Sequence, residues 1–155
     1  MQSSSTTSEQ NGDVPEGFVT VRNAGAFADR NGPLYLRLSD STLGFCVSSA
    51  HCNPLGVCHG GWLGTFLDMQ MPLTAMREGG LESQFLLTVS LSMDFLASGT
   101  KGSWVEGQAT VLKRSKTLFF IQGLAVSGGI PLLRASGVYK MVPADRSRDV
   151  PKELK

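Results

Sequence analysis

The chain has 155 residues, 41% hydrophobic and 17% charged, with a formal net charge of +1. That fits one globular domain, and the near-zero charge offers neither a basic field for nucleic acid nor an acidic field for a basic partner. Its three cysteines, Cys46, Cys52 and Cys58, form no paired framework, and no signal peptide or membrane-spanning run is evident, so a reduced, cytoplasmic setting is expected.

Residues 1–13 are polar, Ser/Thr-rich and aperiodic and read as a disordered tail. Residues 14–143 hold the domain, and the charged stretch 144–155 reads as a fraying C-terminal tail. Residues 15–30 suggest a short helix, weakened by Gly17 and Gly25. After the break at Asn31-Gly32-Pro33, Leu34, Leu36 and Leu38 alternate with Tyr35, Arg37 and Ser39, the period of a strand. Asp40-Ser41 turns the chain, and residues 43–49 return as a second strand.

A long apolar helix follows from Gly60, ending at Glu78-Gly79-Gly80. Pro72 should kink it or end its regular part. Residues 86–96, 104–112, 118–126 and 132–142 then read as strands joined by short turns, which predicts a four-strand antiparallel meander. The fold class is therefore α+β, with about six strands, one long helix and a short N-terminal helix.

Trp62, Leu63, Phe66, Leu67, Met69, Met71, Leu73, Ala75 and Met76 fall almost all round the helix, the pattern of burial on every side. One sheet covers only part of such a helix, so a second copy of the chain is expected on the remaining face, making a homodimer. From Gly60 to Ala75 the one formal charge is Asp68. A carboxylate in a buried helix is costly unless hydrogen-bonded or protonated, which singles it out for chemistry.

Asn53, Pro54 and Gly56 lead into His59-Gly60-Gly61 at the helix start, where backbone N–H groups lack helical partners and the helix dipole is positive. Glycines there admit a carbonyl to close range, and the N–H groups can polarise it. Asp68 can act as nucleophile or activate a water, with Asn53 and His59 orienting substrate or water; this set suits acyl transfer to water. Asp68 lies about 12–14 Å along the helix from His59 and Gly60. Two helices packed antiparallel would bring each Asp68 to the partner's helix start, so the site is expected to be shared between subunits.

The pattern Asn53-x5-His59-Gly60-Gly61-x6-Asp68 resembles the signature of the hotdog-fold thioesterases, in particular the phenylacetyl-CoA (PaaI-type) and human thioesterase-superfamily-member-2-like branch. The resemblance covers about residues 15–142. It implies an antiparallel sheet wrapped round the long helix, homodimers that often pair into homotetramers, and hydrolysis of acyl-CoA thioesters without a metal or organic cofactor. By position it makes Asp68 the base or nucleophile and the Gly60 N–H the holder of the thioester oxygen. Asn53 and His59 would lie beside Gly60, and Thr88, from the Asp68 subunit, would hold the water. On the same reading Gly61 and Trp62 face the substrate, and Trp62, Phe66, Met69, Leu73 and Phe95 offer an apolar acyl or aryl pocket. Apart from the resemblance, Lys113, Arg114 and Lys116 form a basic hairpin tip that reads either as a solvated turn or as a contact for CoA phosphates. Pro72 departs from the family's less interrupted helix.

Two other functions compete. A hotdog hydratase or dehydratase would carry a His-Phe-Pro or Asp-x4-Asn-x4-His pattern, where this chain has His-Gly-Gly. A non-catalytic acyl-CoA-binding domain would tend to lack the carboxylate and carry a DNA-binding segment. The cluster of His51, Cys52, Cys58 and His59 matches no common zinc spacing, so no metal is expected.

Overall fold

The computed structural model describes residues 13–81 and 83–144. The two terminal tails, apart from Asp13 and Ala144, lie outside the described residues. The elements are β1 (Phe18–Thr20), α1 (Ala26–Asn31), β2 (Tyr35–Arg37), β3 (Thr42–Cys46), α2 (Gly60–Gly79), β4 (Gln84–Phe95), β5 (Trp104–Arg114), β6 (Leu118–Ser127) and β7 (Ile130–Pro143). A 3-10 turn, Ser49–His51, precedes the loop to α2. No helix among the described residues is long and apolar enough to cross a membrane.

The seven strands form one antiparallel sheet in the order β1-β2-β3-β5-β6-β7-β4. The short helix expected in 15–30 is the six-residue α1, preceded by a strand β1 paired with β2 that the sequence did not suggest; one other expectation is corrected. Gly17 and Gly25, both at positive φ, punctuate that stretch and hold a longer helix off. The expected four-strand meander holds only for β5, β6 and β7, because β4 pairs with β7. A strand has two edges; both of those on β5 are taken, by β3 and β6, and β7 offers the free one.

Helix α2 lies across one face of this sheet. Phe45, Phe66, Leu67, Met71, Ile121 and Leu133 are buried between the two layers, and each such side chain contributes about 1.5–3 kcal/mol. The close approach needs glycines in the sheet. A Cβ on Gly107 would come 2.7 Å from Gln70 Cγ, and one on Gly123 2.9 Å from Met71 Cγ. Gln70, 1% exposed, locks the layers together: its Oε1 accepts from the Leu43 N–H at 2.6 Å, and its Nε2 donates to the Ser41 carbonyl and to Thr74 Oγ1.

The helix runs unbroken through Pro72. Proline removes the bond that an N–H at 72 would give the Asp68 carbonyl, but Met71 and Ala75 on either side are fully packed, and that packing holds the turn. Gly80 closes the helix in the left-handed conformation at φ 60°, with its N–H donating to the Arg77 carbonyl. Burial is not uniform round the helix. Thr65, Asp68, Met69, Pro72, Leu73 and Met76 are only half-buried and form one stripe.

Candidate active site

At the start of α2, His59 is the N-cap. Its Nδ1 accepts from the Gly61 N–H at 2.8 Å, and its carbonyl accepts from Trp62 and Leu63. With Nδ1 an acceptor, the neutral ring carries its proton on Nε2. His59 thus takes up the N–H of Gly61, whereas the N–H of Gly60 has no partner among the described residues. The sequence names both glycines; the geometry separates them, leaving Gly60 as the free donor at the positive end of the helix.

Asp68 sits on the half-buried stripe. Its Oδ1 accepts from Thr88 Oγ1 at 2.8 Å and from the Tyr139 hydroxyl at 2.9 Å. Two donors on one oxygen offset the cost of a carboxylate in an apolar helix. No hydrogen bond from a described residue reaches Oδ2. Thr88 comes from β4, immediately before a bulge that shifts the register to Ser90, and it stands opposite Tyr139 on β7. Regular alternation up to that point puts Thr88 on the same face as the buried Leu86 and as its direct partner Tyr139.

Asn53 opens the loop before α2. Its Oδ1 accepts from the Leu55 N–H at 3.0 Å and, at longer range, from that of Val57, so the amide oxygen closes its own turn. Cys52 and Cys58 pair across the loop as an antiparallel bridge, flanked by the bonds from the His59 N–H to the His51 carbonyl and from the Asn53 N–H to the Val57 carbonyl. His51 is structural. Its Nδ1 accepts from the Ser48 N–H and its Nε2 donates to the Asn31 carbonyl at 2.6 Å.

Trp62 is 8% exposed, stacked on His51 at 4.8 Å and set edge-on to Phe45. It also lines, with Phe27, His51, His59 and Thr65, a cavity of about 390 Å³ beside the helix start. Among the other candidates for an acyl pocket, Phe66 is fully buried, Met69 and Leu73 are half-buried and Phe95 is exposed.

Lys113, Arg114 and Lys116 are exposed around the β5–β6 turn. The Arg114 guanidinium lies over the Phe119 ring at 5.0 Å, and its NH1 is 3.2 Å from where a Cβ on Gly79 would stand. The basic tip therefore sits at the C-terminal end of α2, the opposite end from Gly60. Within one chain, Asp68, Gly60 and the basic tip are spread along the helix, with no hydrogen bond among them.

Tyr139 is the contact that sequence reasoning missed. The signal was present: it falls on the inward alternation of β7 with Ala135 and Gly137, and a buried tyrosine hydroxyl requires a partner.

The sequence profile of the Thioesterase superfamily matches residues 55–133. The Pseudomonas aeruginosa protein PA0474, named as an esterase, is 30% identical over 131 residues, spanning 83% of this chain and 97% of that protein. Among solved structures, a point mutant of the phenylacetic acid degradation protein PaaI from Thermus thermophilus superposes with a TM-score of 0.63. It is 21% identical, over 75% of this chain and 98% of that one. A hypothetical thioesterase from Streptococcus pneumoniae, solved with coenzyme A, gives 0.60 at 17% identity, over 66% of this chain and 80% of that one. Those two share the fold. The seven-stranded antiparallel sheet laid on one long helix is the hotdog architecture, and the chain belongs to the thioesterase superfamily.

Proposed function

We propose that the protein is an acyl-CoA thioesterase that hydrolyses an apolar acyl- or aryl-CoA to the free acid and CoA, with Asp68 as the reacting carboxylate. The observation that carries this reading is the Asp68 carboxylate held at Oδ1 by Thr88, in a chain whose helix start leaves the Gly60 N–H free. Membership of the thioesterase superfamily supports thioester cleavage. Coenzyme A in the Streptococcus pneumoniae neighbour supports CoA as the carrier.

The Gly60 N–H polarises the thioester carbonyl and takes up negative charge as it develops. Oδ2 of Asp68 removes a proton from water as the water oxygen bonds to the carbonyl carbon; the C–S bond then breaks and the thiol of CoA leaves with a proton. Direct attack by Oδ2, giving an anhydride that water opens, reaches the same products. Thr88 donates to Asp68, so its lone pairs remain to accept from that water. The Nδ2 donor of Asn53 and the Nε2–H of His59 orient the substrate beside Gly60.

Gly60 and Asp68 of one chain are eight residues apart, about 12 Å along the axis, so the working site takes Asp68 and Thr88 from one subunit and Gly60, His59 and Asn53 from the other. Two surfaces suit that pairing. The half-buried stripe of α2 presents Met69, Leu73 and Met76, and the free edge strand β4 exposes Phe85, Leu87 and Val89 at 50–60%. Exposed apolar edges of this kind call for a partner. A homodimer, further paired into a homotetramer, covers them. Antiparallel helices also carry the basic tip of one subunit beyond the helix start of the other, where the phosphates of CoA emerge.

The test is release of free thiol from short, medium, long and aromatic acyl-CoAs. Release from any of them is expected, and the preferred acyl group defines the pocket. Tight acyl-CoA binding with no thiol released from any member would instead favour a non-catalytic binding domain.

A further inference from the structure

We infer that Tyr139 is a positioning residue for Asp68: it holds Oδ1 from the strand side so that Oδ2 alone faces the reacting water or thioester. This rests on the reading of Asp68 as the reacting carboxylate. Three observations carry it. The Tyr139 hydroxyl donates to Asp68 Oδ1 at 2.9 Å, on the same oxygen that Thr88 holds at 2.8 Å. The tyrosine is fully buried, and its ring lies against the backbone of Gly137, where a Cβ would come 2.5 Å from Cε2. Glycine two residues earlier on the inward face is thus the seat that lets the ring fold back and fixes the direction of its hydroxyl. Finally, Tyr139 and Thr88 are direct partners in the β4–β7 register, with the bulge starting at Thr88, so one strand pair aims both donors.

Burial, and then the neighbouring Asp68 carboxylate, hold the Tyr139 phenol well above its usual range. It keeps its proton through neutral pH and acts as donor, not as base. No cation competes for the carboxylate: none of the ion pairs among the described residues includes Asp68. Of the strands packed on α2, β7 presents Tyr139 and β4 presents Thr88, which does not titrate. The inward residues of β5 and β6, such as Val105, Ile121 and Gly123, carry no charge. On β3, Thr42 and Phe45 are likewise uncharged.

A side chain that only packs would lose little with its hydroxyl. A positioning donor gives a different result in Tyr139→Phe, which keeps the ring on Gly137. Its kcat should fall about tenfold with KM unchanged, the scale of one hydrogen bond to a charged group. Placing 3-fluorotyrosine at 139 keeps the ring and a hydroxyl donor and should hold kcat near the wild-type value; its fluorine resonance, which should move on Asp68→Asn, serves if Tyr139→Phe folds poorly. Wild type and Asp68→Asn run beside them. If wild type releases thiol and Asp68→Asn does not, but Tyr139→Phe keeps the wild-type kcat or the fluorine resonance is unmoved by Asp68→Asn, the role of Tyr139 is overturned and the thioesterase reading stands. If wild type releases no thiol, or Asp68→Asn releases it at the wild-type rate, the reading of Asp68 fails and the inference falls with it.

Discussion

The ring of Phe95 lies directly on the α-carbon of Gly60: a Cβ there would come 2.8 Å from Phe95 Cε1 and 3.2 Å from Cζ. The end of β4 and the start of α2 are packed without room for a methyl group. Gly60→Ala forces the two apart at the donor proposed for the thioester oxygen. Phe95 is 56% exposed and can turn away, so the overpacking cost, about 1–3 kcal/mol, is partly offset by a gain in helix propensity of about 1 kcal/mol. The expected outcome is a Tm lower by at most a few degrees and a kcat lower by about tenfold or more, because the displaced N–H no longer meets the oxyanion. Steady-state kinetics and a thermal melt check it.

Gln70 makes a contrasting prediction, on stability. Its amide satisfies the Leu43 N–H and the Ser41 carbonyl across the layers. Gln70→Leu keeps the volume and leaves the buried Leu43 N–H without its partner, at about 1–3 kcal/mol, and the part-buried Ser41 carbonyl without its own, at less. Urea unfolding should show a loss of about 2–4 kcal/mol, discounted for relaxation of the β2–β3 hairpin. A loss below the error of the measurement would mean that the hairpin finds other partners.

Alkaline pH should weaken the fold through groups that stay protonated only when buried. Burial, and secondarily Cys52, push the Cys58 thiol from its usual 9.0 to about 12. The unfolded chain releases this proton above 9 and the folded chain does not, so the contribution is complete below pH 9 and is lost as pH rises towards 12. Tyr139, also raised, acts in the same direction above the ordinary phenol value. Unfolding midpoints measured from about pH 8 to about pH 11 should fall for wild type, and less steeply for Cys58→Ala. At neutral pH, alkylation with mass mapping should modify Cys46 and Cys52 ahead of Cys58, which is 5% exposed.

The shared site predicts complementation between dead variants. Proline is tolerated at the first helical position and removes the N–H, so Gly60→Pro deletes the proposed donor. Homodimers of Gly60→Pro and of Asp68→Asn should both be inactive. A mixed dimer of the two has one site with both groups intact and should recover activity. Verified heterodimers that remain inactive would place the chemistry within one subunit.

What the sequence discloses follows from how local each signal is. The limits of α2 were legible because His59-Gly60 and Gly79-Gly80 are local start and stop signals. The Thr88 contact with Asp68 was reachable through family resemblance, since position along the strand carries it. The place of β4 was not legible: its own alternation gives a strand but says nothing about which edge is free, and that is decided by β3 occupying β5. The same distance in sequence hid Tyr139, whose hydrogen-bond partner lies 71 residues away. Pro72 does not end the helix, because burial of its neighbours outweighs one missing helical bond.

The most direct measurement is single-turnover thiol release from the preferred acyl-CoA by wild type and Asp68→Asn, with binding of the same acyl-CoA followed in parallel. The amide keeps the shape of the carboxylate but is neither a base nor an effective nucleophile. Release by wild type, and binding without release by Asp68→Asn, is the predicted result. Equal release by both proteins would contradict the account and leave Asp68 as a structural carboxylate tied to Thr88 and Tyr139.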